Sequence, residues 1–270
     1  MIKVIALDLD GTTLNDAKEI PIETVATLKK AREMGVKVVF DTGRPPISTR
    51  AFLEALGLSG SERDYCITFN GGRVATCADE VLLNSCLSYA DLSMIHEWTR
   101  KEDIPLDVIA ETDCYTVEYE RPSQLHYVNN TLTFHTVTFD EVPKDAVFNK
   151  VILSGEPEIL DRALKRVPSN LTEAYEWVKT RDILLEIMPK GVTKATGLAF
   201  LCEKLAVKPD EVLAMGDEDN DIPMLSWAGV SIAPANANDR AKAAAKHLSN
   251  LTNNENAVAV AIEEYVLHES

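Results

Sequence analysis

Residues 4–7 form an unbroken apolar run, Val4-Ile5-Ala6-Leu7, at the very start of the chain. A run that is apolar at every position, rather than at alternate ones, predicts a strand covered on both faces, as in the middle of a parallel sheet. Residues 21–34 carry Val25, Leu28 and Ala31 along one stripe and stop at Gly35, the pattern of a helix with a glycine at its C-terminal end. Residues 36–40 (VKVVF) predict a second buried strand, 46–56 a second helix ending at Gly57, and 65–69 a third strand. Strand, helix, strand, helix, strand is the rhythm of an α/β, doubly wound parallel sheet of Rossmann-like type.

The rhythm changes near residue 73. Residues 73–76 and 80–83 suggest a hairpin, and short strand-like runs follow at 115–119, 131–139, 151–154 and 183–187, with helical patterns at 89–101 and 157–166. Strands adjoining strands, covered by helices, predict an α+β insert with an antiparallel sheet. The opening rhythm returns at Lys194. Leu198, Leu201, Cys202 and Leu205 lie on one helical face, a strand spans 212–215, and a short helix, a strand at 230–232 and an alanine-rich helix at 238–246 follow. A last helix carries Val258, Ile262, Tyr265 and Val266 on one side. The expected organisation is therefore one discontinuous core, residues 1–82 and 190–270, interrupted by an inserted domain at 83–189.

Composition narrows the partners. With 270 residues and 46% hydrophobic positions the chain can bury a normal core. The 27 basic and 43 acidic residues leave a net charge of −16, which argues against nucleic acid or an anionic membrane as the main partner. A small phosphorylated substrate stays possible, because a bound cation and a lysine can reverse the field locally. Five scattered cysteines without a C-x-x-C pair suit reduced thiols and a cytoplasmic location better than a disulfide framework or a zinc site. No leader-like segment precedes the first strand, and no apolar run has membrane-spanning length. Oligomeric state is not legible.

Chemistry enters at the strand ends. The first strand delivers Asp8 and Asp10, two residues apart and so on one side, and then breaks at Gly11-Thr12-Thr13. Thr42 follows the second strand, and Lys194 opens a helix, where a cation is unfavourable to the helix dipole and so invites a functional reason. Asp217, Asn220 and Asp221 follow the strand at 212–215. Phosphoryl transfer needs these parts: a carboxylate nucleophile, a second acid to move protons, and Mg²⁺ with a lysine to neutralise the phosphoryl group. Asn70-Gly71-Gly72 reads equally well as a plain turn or as a contact.

The succession D-L-D-G-T, T-G-R-P, a lysine opening a helix, and G-D-E-D-N-D resembles the haloacid dehalogenase (HAD) superfamily of phosphatases along the whole chain. The insert resembles the cap domain of the Cof-type sugar phosphatases, and ITFNGG, LLEIMPKGVTKATGL and GDEDNDIPML resemble the YidA-type subfamily. The resemblance implies a Mg²⁺-dependent phosphomonoester hydrolase acting on small phosphorylated metabolites, sugar phosphates above all. It implies that Asp8 is the nucleophile and Asp10 the general acid/base, the latter also binding metal through its backbone carbonyl. Thr42 would bond the phosphoryl oxygens with help from Gly11 and Gly43, and Lys194 would neutralise charge. Asp217 would bind Mg²⁺ beside Asp8 and Asp10, with Asn220 and Asp221 in or near its shell. Arg44 and Asn70 would contact phosphate or substrate. A phosphomutase or phosphotransferase using the same aspartyl phosphate is the enzymatic alternative. A phospho-aspartate signalling receiver is the other, although it needs neither the insert nor the late acidic cluster. Two positions depart from the family pattern: Thr13 replaces a leucine, and Asp41 stands where relatives often carry a small or hydroxyl residue.

Overall fold

The computed structural model describes residues 1–129 and 131–267. In chain order its strands are β1 (Val4–Leu7), β2 (Lys37–Asp41), β3 (Tyr65–Thr68), β4 (Arg73–Thr76), β5 (Val81–Asn84), β6 (Leu106–Ile109), β7 (Asp113–Val117), β8 (Thr133–Val137), β9 (Lys150–Ser154), β10 (Tyr175–Arg181), β11 (Leu184–Pro189), β12 (Val212–Met215), β13 (Val230–Ala233) and β14 (His247–Leu248). They form two sheets among the described residues, β14-β13-β12-β1-β2-β3-β4-β5 and β10-β11-β9-β6-β7-β8.

In the first sheet β1 pairs in parallel with β2 on one side and β12 on the other, Leu7 standing opposite both Phe40 and Met215. All four β1 residues are fully buried because helices cover both faces. Ile5 and Leu7 pack with Leu28 and Ala31 of the helix Ile22–Glu33 and with Val258 and Ile262 near the C-terminus. Val4 and Ala6 pack on the other face with Leu198, Leu201 and Cys202 of the helix Lys194–Lys204 and with Met224. The sheet is a doubly wound α/β core with parallel strands, extended by β4, which runs antiparallel to β3. Gly71 and Gly197 meet at this level. A Cβ on Gly71 would lie 2.0 Å from the Thr193 carbonyl oxygen, so its absence lets the lysine-bearing helix approach β3 and β4 closely.

The chain divides into two compact units, residues 1–44, 49–83 and 193–270 in one, and 45–48 with 84–192 in the other. The second unit has its own core, in which Leu92, Ile95 and Trp98 of the helix Tyr89–Glu102 pack with Leu106, Val151 and Leu185 on one face of the second sheet. That sheet is not wholly antiparallel. β7 and β8 run parallel, joined by a connection that carries the short helix Leu125–Val128. Two of its strands, β6 and β10, carry no clear sequence signal, since β6 places the buried Asp107 inside its apolar run. Asp107 accepts from Ser123 at 2.5 Å and Thr116 at 2.7 Å, which satisfies it, while burial pushes its carboxyl up to about 6. In the same sheet Lys150 of β9 and Glu186 of β11 form a buried ion pair at 2.8 Å. No helix among the described residues is long and apolar enough to cross a membrane.

Candidate active site

Strand order reverses at β1: the chain runs outward through β2 and β3 on one side, and β12 to β14 occupy the other. In open parallel sheets the crevice at such a reversal, beyond the carboxyl ends, is where ligands bind. Asp8 continues β1 by donating its N–H to the Met215 carbonyl at 3.0 Å, so register alone sets it beside Gly216 and Asp217. Gly11, at φ 76°, turns the chain back, and a Cβ there would fall 2.2 Å from an Asp217 carboxylate oxygen. Only glycine lets the turn pass this close to the acid.

Lys194 ties the site together. Its side chain is wholly buried, and Nζ donates to Asp8 Oδ1 and Asp221 Oδ1, both at 2.5 Å. Asp221 is also a scaffold, because its Oδ2 accepts the N–H groups of Asp217 and Glu218 at 2.9 Å each and so shapes the loop after β12. Thr12 donates to Asp217 Oδ1 at 2.7 Å, and Thr13, at the position of the family's leucine, donates to the Asp8 carbonyl at 2.5 Å. Asn236 donates to the Gly11 carbonyl at 2.7 Å, and Asn238 N–H to that of Asp217 at 3.0 Å.

Carboxylate oxygens of Asp8, Asp217 and Asp221 lie within 4.8 Å of one another. One ammonium faces this crowd. Burial, then the charge of Asp221, push the Asp8 carboxyl up to about 7 against the pull of Lys194. Burial, then Asp8 and Asp221, push Asp217 up to about 9. Burial disfavours charge on Lys194, but Asp221, Asp8 and Asp41 outweigh it and hold the ammonium protonated far above its ordinary range. A buried group of hard oxygens short of positive charge fits a divalent cation such as Mg²⁺.

Asp10 is held differently. Arg44 grips it with a two-pronged bond, Nε to Oδ2 at 2.7 Å and Nη2 to Oδ1 at 2.8 Å, and Lys18 Nζ reaches Oδ1 at 2.8 Å. Burial raises its carboxyl, yet the bonds and charge of Arg44 and Lys18 prevail and hold it well below the usual carboxylate range. Thr42 directly follows β2, buried, and its Oγ1 accepts the Arg44 N–H at 3.2 Å. Asn70, left-handed at φ 56°, donates its N–H to the Thr42 carbonyl, and its Oδ1 accepts from Asn220 Nδ2 at 3.0 Å. Gly43 admits this side chain, since a Cβ there would lie 2.9 Å from the same Oδ1. The Asn220 amide therefore reaches Asn70.

Asp41 is fully buried, and neither carboxyl oxygen has a hydrogen-bond partner among the described residues. Burial raises its carboxyl far above the ordinary range, with Asp221 and Asp8 adding to the effect and Lys194 opposing it. Burial therefore disfavours charge on Asp41. Sequence reasoning passed over Lys18, Thr12, Asn236 and Asn238. Thr12 adjoins Gly11 and so carried a signal; Asn236 and Asn238 carried none, because only the fold brings Asn236 to the loop after β1 and Asn238 to the loop after β12.

Comparison with known proteins gives the family. A family model described as haloacid dehalogenase-like hydrolase matches residues 5–262. The Bacillus subtilis (strain 168) protein named "Putative phosphatase YxeH" is 34% identical over 270 residues, covering 99% of both chains. The 5-amino-6-(5-phospho-D-ribitylamino)uracil phosphatase YcsE of the same organism is 30% identical over 266 residues, covering 98% of this chain and 96% of that one. The crystal structure of a haloacid dehalogenase-like hydrolase from Bacteroides thetaiotaomicron superposes with a TM-score of 0.85 at 27% identity, covering 98% of this chain and 99% of the other. The chain belongs to the haloacid dehalogenase-like hydrolases.

Proposed function

We propose that this protein is a Mg²⁺-dependent phosphomonoester hydrolase for small phosphorylated metabolites, sugar phosphates foremost, working through an aspartyl phosphate. The observation that carries the reading is the buried Lys194, bonded to both Asp8 and Asp221 where three acids converge at the ends of β1 and β12. Binding alone does not require a nucleophile so placed. The phosphorylated ribityl chain in the name of YcsE supports a phosphorylated sugar or polyol as substrate.

In the first step a carboxylate oxygen of Asp8 attacks phosphorus, the bond from phosphorus to the ester oxygen breaks, and Asp10, which must first take up a proton against the hold of Arg44 and Lys18, gives that oxygen the proton. In the second step Asp10 takes a proton from water, the water oxygen attacks phosphorus, and the bond to Asp8 breaks to release phosphate. Lys194 holds Asp8 in place and offsets charge on the phosphoryl group. Thr42, with the backbone of Gly11 and Gly43, bonds the phosphoryl oxygens, and Arg44 and Asn70 contact the substrate. Mg²⁺ would be held by Asp8, Asp217 and the Asp10 carbonyl, with Asp221 and Asn220 behind them, and would supply positive charge to the phosphoryl oxygens.

The test is phosphate release from 4-nitrophenyl phosphate with Mg²⁺ and with EDTA. Release is expected with metal, to be lost on chelation and in Asp8→Asn. Activity that persists undiminished in Asp8→Asn removes Asp8 as nucleophile.

A further inference from the structure

The loop after β13, residues 234–238, gives no acid to the site, yet it holds two loops that do. Asn236 Nδ2 donates to the Gly11 carbonyl at 2.7 Å, in the turn after β1. Asn238 N–H donates to the Asp217 carbonyl at 3.0 Å, in the loop after β12. The Asn238 side chain adds bonds from Nδ2 to Glu218 Oε2 at 2.9 Å and to Asp219 Oδ1 at 3.2 Å. The two held loops meet in one contact, Thr12 Oγ1 to Asp217 Oδ1 at 2.7 Å. One short segment therefore brackets the junction on which the Asp217 carboxylate rests.

The bracket is itself fixed. Asn238 Oδ1 accepts the Ala241 N–H at 2.8 Å and so caps the helix Asp239–Ala244. Asn236 has both ends of its amide engaged, because Oδ1 accepts the Asn253 N–H at 2.9 Å while Nδ2 serves Gly11. The buried Asn253 side chain donates to the Leu14 carbonyl at 2.9 Å. The turn from Gly11 to Leu14 is thus gripped at each end by an asparagine, and the two asparagines grip each other. Asn236 is exposed. A hydrogen bond open to water adds little to stability, since water replaces it on unfolding. Its effect on position is larger. A Cβ on Gly11 would lie 2.2 Å from an Asp217 oxygen, so the turn has no slack against that carboxylate. A ligating group serves its metal only when held to within about 0.5 Å.

We propose that Asn236 is a positioning residue for the divalent-cation site: by holding the Gly11 carbonyl it keeps Thr12 on Asp217 and aims that carboxylate at the cation. The inference rests on the reading of Asp217 as a Mg²⁺ ligand. Asn236 bonds none of the three clustered acids; it acts through the turn.

Mg²⁺ alone is the probe, titrated calorimetrically into the full-length, metal-free protein without substrate. In Asn236→Ala the Mg²⁺ Kd is expected to rise about tenfold, the lower end of what losing a supporting hydrogen bond costs a metal site. The thermal unfolding midpoint in EDTA should fall by less than about 4 °C. With 4-nitrophenyl phosphate the Mg²⁺ activation constant should rise in step, while kcat at saturating Mg²⁺ stays within about threefold. Thr12→Val removes the contact that Asn236 supports, so the double variant should bind Mg²⁺ about as weakly as the weaker single one. Asn254→Ala removes a bond to the Asp16 N–H, outside the turn, and should leave the Kd unchanged. An unchanged Kd in Asn236→Ala, or losses that multiply in the double variant, would overturn the positioning role. So would an equal loss in Asn254→Ala, which would show general loosening of the loops. If the unaltered protein binds no Mg²⁺, the metal reading itself fails, and this inference falls with it.

Discussion

Lys194→Met is the perturbation that most directly probes how the site is held. Met keeps the length of the stem and removes the ammonium, which is wholly buried and bonded to Asp8 and Asp221 at 2.5 Å each. Its removal strands two carboxylates in the interior beside a third, Asp217. Breaking a buried ion pair by deleting one partner costs about 3–5 kcal/mol, because the remaining charge is uncompensated. For a chain of this size that corresponds to a fall of roughly 6–20 °C in the unfolding midpoint.

The cost should depend on pH in a definite direction. Asp8 has its folded carboxyl raised to about 7, well above its ordinary 3.8. An acid raised on folding subtracts stability as pH climbs from its unfolded value toward its folded one. Without Lys194 that rise is larger, so the variant continues to lose stability at a pH where the unaltered protein has levelled off. Urea unfolding in EDTA should show a modest deficit at pH 5, where Asp8 carries a proton, and the full deficit at pH 8. Phosphate release should fall by roughly 10²–10³, the usual effect of removing one charge-stabilising donor from a water-poor site. A deficit below about 1 kcal/mol at pH 8, or one of equal size at pH 5 and pH 8, refutes the electrostatic account of this cluster.

Two further variants separate the roles of neighbouring groups. Gly11→Ala should weaken Mg²⁺ activation about tenfold or more, because the new Cβ would lie 2.2 Å from an Asp217 oxygen at φ 76°, and displacing a metal-holding group typically costs this much. A Mg²⁺ titration of phosphate release checks it, and an unchanged activation constant contradicts the placement of Asp217. Asp41→Asn should leave kcat within about threefold, since burial disfavours charge at this position and an amide carries none. A loss beyond about tenfold would mean that Asp41 works ionised, against its lack of any hydrogen-bond partner.

Legibility in the sequence followed the range of the interactions. β1 and β12 were readable because burial on both faces makes every residue apolar, and β2 and β3 because it makes most of theirs so, a signal confined to four or five positions. Asp8 and Asp217 could be singled out because parallel strands place polar residues at their carboxyl ends, where the sheet stops. What escaped was set by pairing between distant segments. β6 holds a buried aspartate satisfied by Ser123 and Thr116, so its polarity disguised a strand. The parallel pairing of β7 with β8 follows from a connection over the short helix Leu125–Val128, and alternation of side chains does not tell parallel from antiparallel.

The same distinction divides the site itself. Thr12 and Asp217 are 205 positions apart and meet because β1 and β12 are neighbours in register. Lys18 reaches Asp10 only because its backbone turns left-handed within a loop fastened by Asn253 and Asn254. Residue type could nominate the acids and the lysine of the chemistry, whose identity is fixed by what they must do. It could not nominate the groups that aim them, because a lysine, a threonine or an asparagine can hold a carboxylate wherever the fold brings it within about 3 Å. Substitutions at Gly11 and Lys194 therefore test different layers of one site: room and charge. Were both to lower activity by the same factor at every metal concentration and pH, those layers would not be separable, and the division argued from the distances around Asp8 and Asp217 would be wrong.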